Sequence, residues 1–341
     1  MKVTFFKRLG SLLLSFFVTV TSIPFRTVSQ RAEDFRLTTY VVGNNFLNAA
    51  NIDGSHFADL TDVILIGIAN FNTEGEIVLD GNFEKILANL KNAMKDSDAN
   101  LYLNIIGPGY TTSSTDWYEQ MDDQGKRHDI AFRSGNLEKN IKDVLVKYDF
   151  DGIFFDYEYP EKKEHWKVFD EFLISLDKYL GDDFKIGCAI SAWNTKQSRK
   201  SIAVTDMVEV MAYDIWEKDG THSSLRNAKQ CVRQMLLEGY KKEQLDLGIP
   251  FYARPTTKDA YWYGYSGYYT QIDEKGFCHD DATGLTFSFN TYDMVYEKTQ
   301  WAINRGLGGV MVWHYSCDIP KDNELSLFNA MYNAKNDMIK K

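Results

Sequence analysis

Short apolar runs alternate along the chain with longer segments that repeat hydrophobic residues every three or four positions. The short runs are rich in β-branched and aromatic residues, which is typical of strands, and the longer segments have the pattern of amphipathic helices. The strand-like runs are TTYVVG, DVILIGIANF, LYLNIIG, DGIFFDYE, KIGCAISAW, VEVMAYD, LDLGIPFY and GGVMVWHY. Helical periodicity is clearest in GNFEKILANLKNAMKD, SGNLEKNIKDVLVKYD, HWKVFDEFLISLDKYL and LRNAKQCVRQMLLEGY. Eight strands that alternate with helices predict an α/β fold, a closed parallel (β/α)8 barrel of the TIM type.

An open, doubly wound sheet is the competing fold, and it is disfavoured because no glycine-rich phosphate loop follows the first strand. Two connections are longer than usual, from about Gly109 to Phe132 and from Pro255 to about Asn290. The second contains YWYGYSGYYT, which predicts a short aromatic-rich insertion between strands 7 and 8. Connections that follow barrel strands build the face where active sites lie.

The N-terminus has the pattern of an export signal. Lys2, Lys7 and Arg8 form a positive segment, and an apolar run from Leu9 to Val20 follows, too short to span a bilayer comfortably. We expect a signal peptide and short leader over residues 1–32, a barrel over 35–335, and a secreted protein without stable membrane association. A retained N-terminal anchor is the alternative, and both interpretations place the barrel outside the cytoplasm.

Composition narrows the choice of partners. Of the 341 residues, 44% are hydrophobic and 25% charged, which is typical of a globular protein. A net charge of -10 argues against a nucleic-acid partner, because phosphate binding needs a basic face. The cysteines Cys188, Cys231, Cys278 and Cys317 fit no zinc pattern, and free thiols and disulfides both stay open, with Cys278–Cys317 the favoured pair. We expect no metal, no organic cofactor and a monomer.

The run DGIFFDYE sets two acids in a segment that otherwise resembles a buried strand. Because side chains alternate along a strand, Phe154, Asp156 and Glu158 share one face with Gly152, while Ile153, Phe155 and Tyr157 share the other. The second set is apolar and suits packing against the outer helices, so the first set is expected to point into the barrel. For an isolated Asp-x-Glu, an ion pair or a helix cap at the barrel rim would be the favoured interpretation.

Four ordered motifs change that judgement. FDGIFFDYEYP resembles the DGxDxDxE signature of glycoside hydrolase family 18, the chitinases and their relatives. VMAYD resembles the family's MxYD motif on the sixth strand, GIPFYAR its GxPFYGR on the seventh, and GLGGVMVW its eighth-strand segment. The resemblance covers about Thr38 to Asp318, nearly the whole mature chain.

The resemblance implies substrate-assisted retaining catalysis, in which the N-acetyl group of the sugar attacks its own anomeric carbon. Glu158 would protonate the leaving glycosidic oxygen and then act as a base towards water. Asp156 would orient the acetamide N–H and stabilise the positive charge that develops on it. Tyr213 would donate a hydrogen bond to the acetamide oxygen, Asp214 would contact the same sugar, and Trp313 would be the flat floor beneath it.

Further residues of the same motifs are candidates for substrate binding. Met211, Tyr252 and Arg254 match family positions that line the pocket, although an arginine after a strand often just pairs with a carboxylate. Trp193 and Trp216 follow the fifth and sixth strands, where each is either a sugar platform or a lid over the barrel. The stretch YWYGYSGYY is expected to wall the cleft, with a self-packed loop as the alternative. No histidine is assigned a role.

Two positions depart from the family pattern. Phe154 stands where the family usually has an aspartate that shares a proton with the next one, so that we expect hydrolysis with altered pH dependence. Pro108, in NIIGPGY, replaces a glycine of the third-strand motif SxGG and changes that edge of the cleft. The region after the seventh strand, although long for a barrel connection, is shorter than the α+β insertion of many exo-acting chitinases, which predicts a more open cleft.

The leading functional prediction is a secreted hydrolase of β-1,4-linked N-acetylglucosamine polymers, chitin or chito-oligosaccharides. An endo-β-N-acetylglucosaminidase acting on N-glycans, or an enzyme acting on peptidoglycan, is the alternative within the same mechanism. A chitinase-like lectin would bind the sugar without cutting it. Such lectins typically lose the acid, whereas Glu158 is present.

Overall fold

The strand-like runs form a closed barrel of eight parallel strands, seen in a computed structural model that describes residues 26–158 and 162–341. The barrel strands are β1 (Arg36–Val42), β2 (Asp62–Ile66), β3 (Asn100–Ile105), β4 (Gly152–Asp156), β5 (Lys185–Ile190), β6 (Met207–Val210), β7 (Leu245–Pro250) and β8 (Gly309–Trp313). Each strand pairs in parallel with its neighbour in the chain, and β1 pairs with β8 to close the ring, with Arg36 opposite Gly309. The predicted (β/α)8 barrel is confirmed.

Helices surround the barrel. They are α1 (Val28–Glu33), α2 (Phe83–Ala93), α3 (Trp117–Phe132), α4 (Leu137–Tyr148), α5 (Lys163–Leu180), α6 (Arg199–Ala203), α7 (Leu225–Glu238), α8 (Tyr292–Arg305) and α9 (Leu327–Ile339). In α2, Phe83, Ile86, Leu87 and Leu90 are buried at helical spacing, which is why this face packs on the strands. None of the described helices is long and apolar enough to cross a membrane.

The barrel wall separates two hydrophobic cores. The outer core lies between the strands and the helices and takes the outward-facing residues, such as Ile153 and Phe155 of β4. The inner core fills the barrel, with Tyr40, Ile64, Ile66, Tyr102, Phe154, Ala189, Met207 and Met311. This division follows from strand alternation, because successive side chains point to opposite sides of the wall.

The two long connections differ in structure. Most of the first is helix α3, where the Asp116 side chain caps the N-terminus by accepting the Glu119 N–H at 3.1 Å. The second folds into a small antiparallel sheet of four strands, Tyr252–Pro255, Tyr263–Gly264, Phe277–Asp280 and Leu285–Ser288. A hairpin of Ala69–Phe71 and Ile77–Leu79 follows β2. The buried residues of the aromatic-rich insertion, among them Tyr265, Cys278 and Phe287, are continuous with the outer core.

The N-terminal prediction lies largely outside the described residues, which begin at residue 26. Within them, α1 ends the predicted leader and is tied to α9 by the Ser29 hydroxyl, which donates to the Ile339 carbonyl oxygen at 2.7 Å. All four cysteines lie in the described part, buried and as free thiols. Cys317 lies 3.5 Å from the Nε2 atom of His314, and the favoured Cys278–Cys317 disulfide is absent.

Candidate active site

The C-terminal end of β4 carries Asp156 and Glu158 to the mouth of the barrel. Phe154, two residues earlier on the same face, is fully buried inside the barrel, whereas both acids are partly exposed. On the opposite face, the Tyr157 ring stacks on Phe169 of α5 with a centroid distance of 4.1 Å. The outer face of β4 is therefore packed against the helices. The two acids, on the inner face, lie at the mouth of the barrel.

Both acids line a pocket at this mouth. Its lining residues come from six barrel strands, the segments just after them and the insertion: Tyr40, Asp156, Glu158, Ala189, Met211, Tyr213, Asp214, Tyr252, Arg254, Trp262 and Trp313. Eight of the ten residues predicted for the site are among them. The exceptions are Trp193 and Trp216.

The Asp156 and Glu158 side chains are hydrogen-bonded to each other. Burial raises the pKa of Asp156 well above its usual range, and the negative charge of Glu158 and their hydrogen bond raise it further. The raised pKa of Asp156 favours a proton in the hydrogen bond that joins the two carboxyl groups. The Oδ1 atom of Asp156 is buried and has no hydrogen-bond partner among the described residues.

Asp214 lies at the centre of a hydrogen-bond network on the other side of the pocket. It accepts hydrogen bonds from the Tyr252 hydroxyl at 2.8 Å and from Arg254, whose Nε and Nη2 atoms lie 2.9 Å and 2.7 Å from the two carboxylate oxygens. Burial by itself would raise the pKa of Asp214, but these hydrogen bonds, the contact with His222 and the charge of Arg254 hold it well below its usual range. Asp214 is therefore a fixed negative charge.

The backbone of Asp214 is held as firmly as its side chain. Its φ angle is 56°, in the left-handed region, and its N–H donates to the Nε2 atom of His222 at 3.0 Å. His222 is itself buried, and its N–H donates to the hydroxyl of Ser288 in the insertion sheet at 3.0 Å. The insertion thus supports the turn that presents Asp214 to the pocket.

Tyr213 and Trp313 both pack against the inner core and line the pocket. The Tyr213 ring lies over Gly248 of β7, where an added Cβ would stand 2.9 Å from a ring carbon, so that glycine makes room for the ring. Burial, followed by the charges of Glu158 and Asp156, raises the pKa of Tyr213 well above its usual range. Its hydroxyl therefore stays protonated and available as a donor. Trp313 ends β8, with its ring centroid 5.3 Å from that of Tyr40.

Trp193 and Trp216 lie outside the pocket lining. Trp193 is 62% exposed in the loop after β5, whose Asn194 side-chain amide donates to the Glu158 carbonyl oxygen at 3.2 Å. Trp216 donates its indole N–H to the Pro255 carbonyl oxygen at 3.0 Å and packs on the His222 ring. It therefore braces the loop after β6 against the insertion.

Three contributors were not named individually in the sequence analysis. Tyr40 lies on the inner face of β1, and the alternation of TTYVVG would have located it there. Trp262 belongs to the aromatic stretch expected to wall the cleft, and its ring lies edge-on to that of Tyr252 at 5.8 Å. His222 has no sequence signal, because it lies eight residues beyond Asp214 in a loop.

Phe154 and Pro108, the two residues that depart from the family's motifs, each contact a neighbouring element. The Phe154 ring lies against Gly187 of β5, where an added Cβ would overlap it, and packs edge-on to Tyr102 at 5.2 Å. The Pro108 carbonyl oxygen lies 3.0 Å from the Nε2 atom of His128 in α3. The third-strand edge of the cleft is therefore tied to α3.

One family model matches the whole barrel. The model for glycosyl hydrolases family 18 matches residues 36–318. The chain belongs to this family. The match begins at the first residue of β1 and ends just after β8, so that it takes in every barrel strand.

Individual relatives are distant. Endochitinase 1 of Metarhizium robertsii is 23% identical over 240 residues, which cover 55% of this chain and 57% of that protein. The chain thus spans little more than half the length of this curated relative. A family 18 chitinase from the chitin utilization locus of Flavobacterium johnsoniae has a TM-score of 0.69 at 19% identity, covering 89% of this chain and 94% of that one. A chitinase-like agglutinin from Robinia pseudoacacia has a TM-score of 0.67 at 15% identity, covering 87% and 99%. At these identities the structural likeness shows the fold alone.

Proposed function

We propose that the protein is a glycosidase that cleaves β-1,4-linked N-acetylglucosamine polymers, chitin or chito-oligosaccharides, by substrate-assisted retaining catalysis. The observation that carries the proposal is the hydrogen-bonded pair of Asp156 and Glu158 in a pocket shared with Tyr213, Asp214 and Trp313. The raised pKa of Asp156 favours a proton on this pair, and a proton donor is what the leaving glycosidic oxygen needs.

In the first step, the acetamide carbonyl oxygen of the sugar attacks C1 while the bond from C1 to the glycosidic oxygen breaks. Glu158 gives its proton to that oxygen and becomes a carboxylate. Asp156 accepts a hydrogen bond from the acetamide N–H and, ionised, stabilises the oxazolinium cation. In the second step, water attacks C1, Glu158 takes a proton from it, and the acetamide is restored with retained configuration.

The remaining pocket residues suit the binding of one N-acetylated sugar. The protonated Tyr213 hydroxyl is a donor for the acetamide oxygen, and Trp313 offers a flat apolar face. Asp214, held ionised by Arg254 and Tyr252, is a strong acceptor for a sugar hydroxyl or amide.

A polymer is the favoured substrate because the surface continues beyond this pocket. A second depression, of about 610 Å³, shares Trp262 and Trp313 with the first and is also lined by Asn45 and Ser266. Trp262 lines both depressions and is 47% exposed. A chain of sugars that stacks on both sides of Trp262 would fill both depressions, whereas a single sugar would fill one.

We also propose that the protein is exported and acts as a monomer, outside the cytoplasm and without lasting membrane association. The support for export is the charged and apolar pattern of residues 1–20. Expression of the full chain with an epitope tag at the C-terminus, followed by N-terminal sequencing of the extracellular product, tests it. A tagged product that stays inside the cell and still begins at Met1 contradicts export.

A substrate panel tests the activity. Chito-oligosaccharides, chitin, a high-mannose glycopeptide and peptidoglycan are assayed side by side with the parent, Glu158→Gln and Glu171→Gln. Glu171 is an exposed acid on α5, so its variant controls for loss of a carboxylate. We expect the parent and Glu171→Gln to release chitobiose-type products, and Glu158→Gln to lose activity by about 100-fold or more.

The other results identify the alternatives. Turnover of the glycopeptide alone indicates an N-glycan endoglycosidase, and turnover of peptidoglycan alone indicates a cell-wall enzyme. Binding to chitin with no turnover of any substrate by the parent indicates a lectin and contradicts the proposal.

A further inference from the structure

Glu209 is a carboxyl group buried in the barrel beneath the candidate active site. On the inner face of β6 it lies between Met207, a member of the inner core, and Met211, which lines the pocket. Its exposed fraction is 0%. A carboxyl group at such a site is costly unless it is neutral or paired, so its presence needs an explanation.

The strand register brings Glu209 into one row with Asp156. Asp156 of β4 is opposite Ala189 of β5, and Ala189 is opposite Glu209 of β6. The intervening side chain is a single methyl group, which leaves room for both acids to face the same part of the interior. Phe154, the residue below Asp156 on its own strand, is apolar and offers that acid no partner.

Several buried polar atoms around this space have no hydrogen-bond partner among the described residues. They are both carboxyl oxygens of Glu209, the Tyr40 hydroxyl, both side-chain amide atoms of Asn104, and the Oδ1 atom of Asp156. Tyr40 and Asn104 are almost wholly buried on the inner faces of β1 and β3. Orphaned polar atoms of this kind are usually bridged by ordered water.

Electrostatic coupling connects the same groups. After burial, the charges of Glu209 and Asp156 are the next largest factors that raise the pKa of Tyr40. The charges of both acids also raise the pKa of Tyr213. The two tyrosines therefore lie within the field of Glu209 below and of the catalytic pair above.

Charged and titratable groups face Glu209 from several strands. They are Arg36 and Tyr40 of β1, Asp62 of β2, Tyr213 just after β6, and Asp246 of β7. Arg36, the cation of this set, is engaged by Asp246 through two hydrogen bonds of 3.0 Å and 2.6 Å. Burial and then the charge of Asp246 raise the pKa of Glu209 well above its usual range, against the opposing charge of Arg36, and the raised pKa favours the protonated form.

We propose that protonated Glu209 is a positioning residue for Asp156, to which it donates a hydrogen bond through bound water shared with the Tyr40 hydroxyl. This role rests on the proposed function, since it matters to catalysis only if Asp156 holds the substrate acetamide. Glu209 stabilises the ionised form of Asp156 at the moment when the oxazolinium forms. Glu209 of β6 thereby serves as the acidic partner of Asp156, which β4 does not supply because Phe154 stands at that position.

Two substitutions separate hydrogen-bond donation from mere filling of space. Glu209→Gln keeps a donor of the same shape, and Glu209→Leu keeps the bulk without a donor. We expect Glu209→Gln to retain kcat within about threefold, and Glu209→Leu to lose kcat by about tenfold at nearly unchanged KM, as for one lost hydrogen bond to a charged group. Both limbs of the pH–rate profile should move to higher pH in Glu209→Leu, because ionised Asp156 is less stabilised.

Asp62→Asn is the matched control. Asp62 is a second buried acid of the barrel interior, at the start of β2, but it accepts hydrogen bonds from the Thr61 hydroxyl at 2.6 Å and the Tyr102 hydroxyl at 3.1 Å. Its variant should leave both limbs in place. The proposal is overturned if Glu209→Leu has the parent's kcat and pH–rate profile. It is also overturned if Asp62→Asn shifts the profile by as much as Glu209→Leu does.

A high-resolution crystal structure of the unliganded parent gives a readout that needs neither turnover nor a variant. We expect ordered water within hydrogen-bond distance of Glu209, the Tyr40 hydroxyl and Asp156. A dry interior, or Glu209 paired directly with Arg36, overturns the proposal even if the enzyme is active. Absence of activity with the water in place would instead count against the proposed function alone.

Discussion

Arg254 holds Asp214 with two hydrogen bonds, Nε to Oδ1 at 2.9 Å and Nη2 to Oδ2 at 2.7 Å. The planar guanidinium matches both carboxylate oxygens at once, which a lysine cannot do. Because Asp214 and Arg254 both line the pocket, this pair joins the end of β6 to the insertion sheet across the candidate site. Arg254 thus pairs with a carboxylate and also lines the pocket.

Replacing Arg254 by lysine should weaken substrate binding more than it weakens folding. We expect Arg254→Lys to raise KM and to lower kcat/KM by about tenfold, as for loss of one charge-assisted hydrogen bond. The pKa of Asp214 should also rise towards its usual range. Steady-state kinetics on a chito-oligosaccharide measures the change. Arg226→Lys, an exposed arginine 3.7 Å from Glu217, is the control; equal kinetics for both variants would refute the prediction.

An acid at position 154 should change the pH dependence of catalysis. The Phe154 ring lies beneath Asp156, whose Oδ1 atom has no partner among the described residues. In Phe154→Asp, burial would keep the new carboxyl protonated and able to donate to Asp156, so both limbs of the pH–rate profile should shift to lower pH. Phe154→Leu, which removes the ring without adding an acid, is the control.

Identical profiles for Phe154→Asp, Phe154→Leu and the parent would contradict this prediction.

The Phe154→Asp substitution should also lower the free energy of unfolding by about 3–5 kcal/mol, because it deletes a fully buried ring. Urea unfolding at several pH values provides the measurement. Since the buried acid has a raised folded pKa, the loss of stability should grow as pH rises above the ordinary aspartate range.

Gly187 should resist even a single added methyl group. A Cβ at this position of β5 would overlap the Phe154 ring, which packs in the inner core and cannot swing into solvent. We expect Gly187→Ala to lower the free energy of unfolding by about 1–3 kcal/mol, measured by urea denaturation. Gly109→Ala, with no atom close to its added Cβ, is the control.

The cause can be isolated by a second substitution. In a Phe154→Leu background the smaller side chain relieves the overlap, so the cost of Gly187→Ala should fall. An undiminished cost in that background would mean that the Phe154 ring is not the cause.

Lys298 should make the protein more stable as the pH rises above neutrality. It is buried beneath the site loop, where it hydrogen-bonds to the Ser223 carbonyl oxygen and to Asn290, and burial lowers its pKa from 10.5 to about 7. Between these values the unfolded chain binds a proton that the folded protein lacks, so the free energy of unfolding rises with pH. Lys298→Met should flatten this rise relative to the parent.

The measurement is urea unfolding of both proteins from pH 6 to pH 10, a range of about four units that brackets the shifted pKa. Lys167→Met, at an exposed position of α5, is the control and should follow the parent. A parent whose stability falls steadily over this range, in parallel with Lys298→Met, would contradict the assignment.

Much of the fold follows from local patterning. Strand alternation in DGIFFDYE places Asp156 and Glu158 on the inner face, and the same rule would have placed Tyr40 and Glu209 there. The barrel itself follows from eight apolar runs separated by amphipathic helices, because burial of one face per element leaves few ways to close the sheet. The connection from about Gly109 to Phe132 was recognised from the sequence only as long, and its helix α3 was not predicted, since that helix has a charged and weakly apolar surface.

The barrel, the strand that carries the acids and the pocket residues within motifs can all be predicted from the amino-acid sequence, because they depend on period and order along the chain. The folded structure was needed to show that Trp216 braces a loop, that the four cysteines are free thiols, and that His222 supports Asp214. It alone brought Glu209 of β6 into the row of Asp156 of β4. These relationships depend on distances between segments far apart in the chain, which closure of the barrel sets and local periodicity does not.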